Sequence, residues 1–177
     1  INLQAASKEK RISLTARVKQ AKHIVDQHAP DKHWIIWHHL EDERRALEKE
    51  VPNGCSVYGS QKEAVKEERL IRFGEGEEQI LLTKPEIAGS GCNFQNHCHA
   101  NIFLGINYKF NDFIQAIHRT HRFQQKHPVQ VYIIHTDSET NVVKQLQAKW
   151  DRHYELVEKM TQIKKKYGLN QSGKIDE

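Results

Sequence analysis

A chain of 177 residues that is 37% hydrophobic and 28% charged is long enough for one domain with its own core and room for helical extensions. No apolar run approaches the roughly 20 residues a membrane helix needs, so no membrane partner is expected. The three cysteines (Cys55, Cys92, Cys98) form an odd set that argues against a disulfide framework and for a reducing, cytoplasmic setting. The formal net charge of +4, with twelve histidines counted neutral, permits nucleotide or nucleic-acid binding without demanding it.

The opening Ile1-Asn2-Leu3-Gln4 has neither an initiator Met nor a secretory pattern, and the chain reads as part of something longer. Residues 1 to 30 form an N-terminal helical extension. Lys8, Lys10, Arg11, Arg17, Lys19 and Lys22 make it basic, and Leu14, Val18, Ala21 and Val25 recur at helical spacing from near Ser13 to a stop at Pro30. Trp34-Ile35-Ile36-Trp37 predicts a buried strand. Helical spacing through Leu40 and Leu47 follows, broken at Pro52-Asn53-Gly54. Cys55-Ser56-Val57-Tyr58 predicts a second strand, residues 61 to 73 a helix, and Gly74-Glu75-Gly76 a break. Gln79 to Thr83, Asn101 to Leu104 and Gln130 to Ile134 predict three further strands, with a helix over 111–122 between the last two. A long helical pattern over 138–167, striped by Val143, Leu146, Trp150, Val157 and Met160, exceeds what covering a sheet requires. Projection, pairing with the first helix and contact with another domain are its three available roles. The tail after Gly168 is polar.

Strands alternating with helices, each strand nearly all apolar, predict an α/β domain over 31–137 with a mainly parallel sheet covered on both faces, followed by a C-terminal helix and tail over 138–177. Ligands in such sheets sit at the carboxyl ends of strands. The loop at 84–93 and the helix at 111–122 both follow strands, so they are expected to meet on that edge.

On the second of these, Gln115, Arg119 and Arg122 fall at i, i+4 and i+7 and share one face, while Phe113, Ala116, Ile117 and Thr120 share the other. Two guanidiniums a turn apart make a fork suited to phosphate, although a solvated helix face with two surface arginines gives the same spacing. The preceding loop, Lys84-Pro85-Glu86-Ile87-Ala88-Gly89-Ser90-Gly91-Cys92-Asn93, has a Gly-x-Gly core that lets backbone N–H groups approach a phosphate or a second backbone. No Gly-x-x-x-x-Gly-Lys-Ser/Thr phosphate loop occurs anywhere. Glu41, Asp42 and Glu43 fit the first turn of a helix better than a magnesium box, since His38-His39-Leu40 separate them from the strand end. Cys92, His97, Cys98 and His99 crowd together but lack the second separated ligand pair that zinc sites use, so no metal site is expected.

Residues from about 33 to 136 resemble the second, C-terminal RecA-like domain of superfamily-two helicases, especially Swi/Snf-type DNA translocases. Trp34-Ile35-Ile36-Trp37 is similar to that domain's opening strand, and Tyr58-Gly59-Ser60 with Glu68-Arg69 and Ile71-Arg72-Phe73 to its next segment. Ile80-Leu81-Leu82-Thr83 leading to Ala88-Gly89-Ser90-Gly91-Cys92-Asn93-Phe94-Gln95 resembles the fifth helicase motif. Gln115 to Gln125 resembles the sixth, whose family form is Gln-Ala-x-x-Arg-x-x-Arg-x-Gly-Gln, with Gln124 standing where the family has glycine.

The resemblance implies a RecA-like three-layer sandwich acting as one half of a motor. ATP and Mg2+ would bind against a missing N-terminal RecA-like domain that supplies the phosphate loop and the magnesium carboxylates. Arg119 and Arg122 would act as arginine fingers, with Gln115, Gly89 and Gly91 on the nucleotide side of the cleft. Ser60, Lys84 and Asn93 would contact the backbone of DNA, expected double-stranded. On this reading the fragment alone is inactive. The alternative is a helicase-like scaffold without catalysis, using its terminal helices to bind a partner.

Overall fold

A computed structural model describes residues 3–88, 92–105, 109–121 and 127–166, with the backbone alone described for 6, 7, 10 and 156–166. Five strands, β1 (His33–Trp37), β2 (Cys55–Ser56), β3 (Ile80–Thr83), β4 (Cys98–Phe103) and β5 (Gln130–Ile133), form one sheet ordered β2-β3-β1-β4-β5. Every neighbouring pair in it is parallel. Around it lie α1 (Leu3–Ile12), α2 (Leu14–Asp26), α3 (Glu41–Glu50), α4 (Glu63–Gly74), α5 (Phe110–His118) and α6 (Thr140–Lys166).

Successive strand residues face opposite sides of a sheet. On one side Ile35, Trp37, Leu81 and Phe103 pack with Phe73 of α4, Phe113, Ala116 and Ile117 of α5, and Val142 and Leu146 of α6. On the other, Trp34, Ile36, Leu82, Ala100 and Ile102 pack with Val18, Ala21, Ile24 and Val25 of α2 and Leu47 of α3. Both faces are covered, which is why the central strands read as unbroken apolar runs. The architecture is the RecA-like α/β sandwich.

Several boundaries differ from the sequence expectation. The N-terminal region forms two helices, and the second bears the apolar stripe. The second strand has two residues rather than four: Val57 N–H still bonds to the Leu82 carbonyl (2.9 Å), but Tyr58 N–H is taken by the side-chain oxygen of Gln61 (3.0 Å). The fourth strand starts at Cys98, which pairs with His33 before a register shift. The arginine helix stops at His118, and Arg119 and Thr120 form a turn. In α6, Val142, Leu146 and Trp150 pack beside α5, where Trp150 meets the Phe113 ring edge-on at 6.1 Å.

The Gly74-Glu75-Gly76 break has a steric cause. Gly76 takes φ +82°, and a Cβ there would lie 2.8 Å from Nδ1 of His97, so only glycine fits the turn. Among the described residues no helix is long and apolar enough to cross a membrane.

Candidate functional site

Connections in a parallel sheet return each helix to the amino edge of the next strand. That places the candidate residues at two opposite ends of the sheet rather than on one edge.

Lys84 and Ser60 lie at the carboxyl end. Lys84 follows β3 directly, and its carbonyl accepts from Ile87 N–H (3.1 Å) and Ala88 N–H (3.4 Å), which turns the chain out of the sheet. Its side chain is half-buried, whereas Ser60, in the turn after β2, is exposed.

The same end holds a charged cluster. Arg17 and Glu43 are buried, with Nη1 of Arg17 2.6 Å from Oε2 of Glu43 and also donating to the Leu104 carbonyl. The other Glu43 oxygen caps α3 by accepting from His39 N–H (2.9 Å) and Leu40 N–H (2.8 Å). Burial acts to raise the Glu43 pKa, but the Arg17 guanidinium and the two N–H groups outweigh it and hold the carboxyl below its usual range. His38 is fully buried next to this pair. Its N–H donates to the Thr83 carbonyl (3.1 Å), and neither ring nitrogen has a hydrogen-bond partner among the described residues. Burial pulls its pKa down to about 4; Glu43 works against that shift, while Lys84, His39 and Arg44 add to it. Arg44 lies over the Tyr58 ring at 3.9 Å and is held by Glu41 and Glu48.

Arg119 and Asn93 lie together at the amino end. The loop after β3 crosses the sheet, burying Ala88 and Phe94, and delivers Phe94 to the end of α5. There Phe94 N–H donates to the Arg119 carbonyl at 2.8 Å, and Nη1 of Arg119 donates to the Cys92 carbonyl at 3.4 Å. The loop and the helix therefore do meet, but at the amino edge, because α5 runs antiparallel to β4 and carries its last turn back across the sheet. Asn93 is half-buried, and its Oδ1 accepts from Gln95 N–H (3.2 Å) in a local turn. Burial pushes the Cys92 thiol up, with Arg119 working against it. Gln115 is exposed on the outer face of α5. Gly89, Gly91 and Arg122 lie outside the described residues.

Two features escaped the sequence reading. Arg17 counts there as surface charge, yet it falls three residues after Leu14 and four before Ala21, within the apolar stripe that α2 buries. Asn101 is a lone amide in an apolar strand, fully buried and bonded to Trp37 and Thr120. A polar residue at a core-facing position was the available signal for both.

The residues present fit one side of a phosphate site only. Among the described residues the Arg119 guanidinium has one hydrogen bond, that to the Cys92 carbonyl, which leaves most of its N–H donors for an anion. Two carboxylates of the acidic run after β1 are already engaged, Glu43 by Arg17 and Glu41 by Arg44. Among the described residues no group of three metal-capable side chains comes together, including Cys92, His97, Cys98 and His99.

No protein-family model and no curated protein matches the sequence. Solved structures do resemble the fold. The C-terminal part of the Fun30 ATPase domain aligns over 73% of this chain and 44% of its own, with TM-score 0.62 and 20% identity. The C-terminal domain of the DEAD-box protein Dbp5 aligns over 76% of this chain and 78% of its own, with TM-score 0.63 and 14% identity. Domain 2 of the Mss116p DEAD-box helicase, bound to an RNA duplex, aligns over 71% of this chain and 50% of its own, with TM-score 0.56 and 21% identity. The chain thus spans about half the length of the Fun30 and Mss116p chains. It has the RecA-like fold that these C-terminal helicase domains share.

Proposed function

We propose that this chain is the C-terminal motor half of an ATP-dependent DNA helicase or translocase of superfamily two, Swi/Snf-like in its motifs. The observation that carries the reading is the junction at the amino end of the sheet. The loop resembling the fifth motif is hydrogen-bonded to the arginine turn resembling the sixth, Phe94 to Arg119 at 2.8 Å. The similarity to helicase C-terminal domains supports the same reading at the level of fold.

In this reading Arg119 and Arg122 face the triphosphate bound by an N-terminal RecA-like domain, which also supplies the Mg2+ ligands. A guanidinium stays charged and donates in a plane, so it stabilises negative charge that builds on the transferred phosphoryl group. Comparable fingers are worth about 10³–10⁵-fold in rate. Gln115, Gly89 and Gly91 shape the nucleotide side, and we assign Asn93, next to the Phe94–Arg119 bond, to that side instead of to the DNA backbone. Lys84 and Ser60, at the opposite end of the sheet, contact the DNA backbone, which implies little base specificity and a marked salt dependence.

The test is ATP hydrolysis by the full-length protein with and without duplex DNA, and by its Arg122→Ala variant. DNA-stimulated turnover that falls at least about 10³-fold in the variant, with ATP binding retained, is the expected result. Normal turnover in the variant removes the finger assignment. No turnover in the unsubstituted protein moves the reading to a scaffold without catalysis.

A further inference from the structure

Between the central strands and the arginine turn runs a chain of three buried hydrogen bonds. Nε1 of Trp37 in β1 donates to Oδ1 of Asn101 in β4 at 3.0 Å. Nδ2 of Asn101 donates to Oγ1 of Thr120 at 2.8 Å, and that hydroxyl donates to the Ile117 carbonyl at 3.1 Å. Trp37, Asn101 and Thr120 are each 0% exposed.

The chemistry fixes the direction of this chain. An indole N–H only donates, so the asparagine must turn its oxygen to Trp37 and its amide nitrogen to Thr120. The Thr120 oxygen is then an acceptor, and its own hydrogen is left for Ile117. Every bond therefore points the same way, from sheet to helix end, and such chains strengthen cooperatively in a low-dielectric interior. Asn101 and Thr120 each have a satisfied arrangement in this register and lose it in any other. A helix that slid or rotated by one residue would present the side chain of Arg119 or His121 to Asn101, and neither fits a fully buried slot.

We infer that Trp37, Asn101 and Thr120 are positioning residues for the arginine turn. They set where α5 ends on the sheet and hence where Arg119, one residue before Thr120, enters the phosphate site. This rests on the motor reading above. Phe94 holds the same turn from the loop side through the Arg119 carbonyl, so the turn is pinned to the sheet by side chains and to the loop by backbone. Arginine fingers act through placement, and a displacement near 1 Å at a catalytic group is enough to cost about 10²-fold in rate.

The experiment compares Thr120→Val, Thr120→Ser and Trp37→Phe in the full-length protein, with kcat and KM for ATP measured per folded molecule at saturating DNA. Thr120→Val keeps the shape but removes the hydroxyl, and kcat is expected to fall about 10- to 100-fold with KM within about two-fold. Thr120→Ser restores the hydroxyl and is expected to return kcat to within about three-fold of the unsubstituted protein. Trp37→Phe cuts the far end of the chain at a residue outside α5 and keeps an aromatic ring in the core, and a loss of kcat of the same sign but smaller size is expected. A merely structural role would lower the melting temperature of all three and leave kcat of the folded molecules unchanged. That result, or a serine variant as slow as the valine one, overturns the inference while the motor reading stands. Absence of ATP hydrolysis in the unsubstituted protein overturns the motor reading and the positioning role with it.

Discussion

At the carboxyl end of the sheet the elements are tied by buried charge: Arg17 of α2 meets Glu43 of α3 at 2.6 Å, with His38 enclosed next to them. The arginine turn, by contrast, is tied to the sheet by neutral groups. There Thr120 is bonded to Asn101 in the middle of β4, which is bonded in turn to Trp37 at the far end of β1 (2.8–3.0 Å), and Phe94 bonds backbone to backbone with Arg119. Buried ions interact strongly over distance but respond to protons and to the loss of either partner. Neutral bonds are weaker singly, yet they are directional and indifferent to pH. The turn that carries Arg119 is thus held to the sheet by geometry rather than by charge.

Removing one charge from the pair should break the carboxyl end hardest. Arg17→Met leaves the Glu43 carboxylate buried without its partner, a loss expected to be about 3–5 kcal/mol in urea or thermal unfolding. The double variant Arg17→Met, Glu43→Leu should recover most of that loss, because no buried charge is left. If the double variant is as unstable as the single one, packing rather than charge holds α2 to α3.

Acid should separate the two ends next. The folded pKa of His38 is lowered to about 4 from 6.5, so between those values the unfolded chain binds the extra proton. Stability should therefore fall as pH drops from about 6.5 toward 4, by on the order of 3 kcal/mol at most from this group. His99, His118 and His121, also shifted down by burial, contribute with the same sign. The lowered Glu43 pKa adds its own loss only as pH falls below its ordinary 4.5. The difference in unfolding free energy between the unsubstituted protein and His38→Leu, followed from pH 7 to 5, isolates the His38 share. A constant difference across that range would mean the ring reaches a proton acceptor at little cost.

At the amino end, Thr120→Val strands the Asn101 amide, with an expected loss of about 1–3 kcal/mol. Unlike the His38 effect, this difference should stay flat from pH 7 to 5, because no member of the chain titrates there. A pH-dependent difference would show that a charge is coupled to the relay.

The sequence made the sheet legible for a physical reason. Strands buried on both faces, such as Trp34-Ile35-Ile36-Trp37, need continuous apolar runs, and Gly76 had to be glycine for its turn to close. Pairings between distant residues were not legible. Arg17 looks like one more basic residue until α2 is laid against α3, since its partner Glu43 lies 26 positions away. The edge on which the 84–93 loop meets α5 was misplaced for a related reason. The two described ends of that loop lie at opposite edges of the sheet, and the bonds of Arg119 to Phe94 and Cys92 show where it lands.

The smallest expected effect tests whether the two ends also divide the work. If Lys84 contacts the nucleic-acid backbone, Lys84→Ala in the full-length protein should weaken duplex binding a few-fold and reduce the slope of log affinity against log salt by about 0.9, the share of one phosphate contact. The KM for ATP should not move. Gln115→Ala, on the outer face of α5 in register with Arg119, should do the reverse and raise that KM while the salt slope stays put. Lys84 is half-buried and follows β3 directly, whereas Gln115 is exposed on the helix that runs to the opposite end, so the sheet itself separates the two phenotypes. An exchange of phenotypes would put nucleotide at the carboxyl end, beside His38 and Glu43. The neutral relay beneath Arg119 would then have no phosphate to aim at.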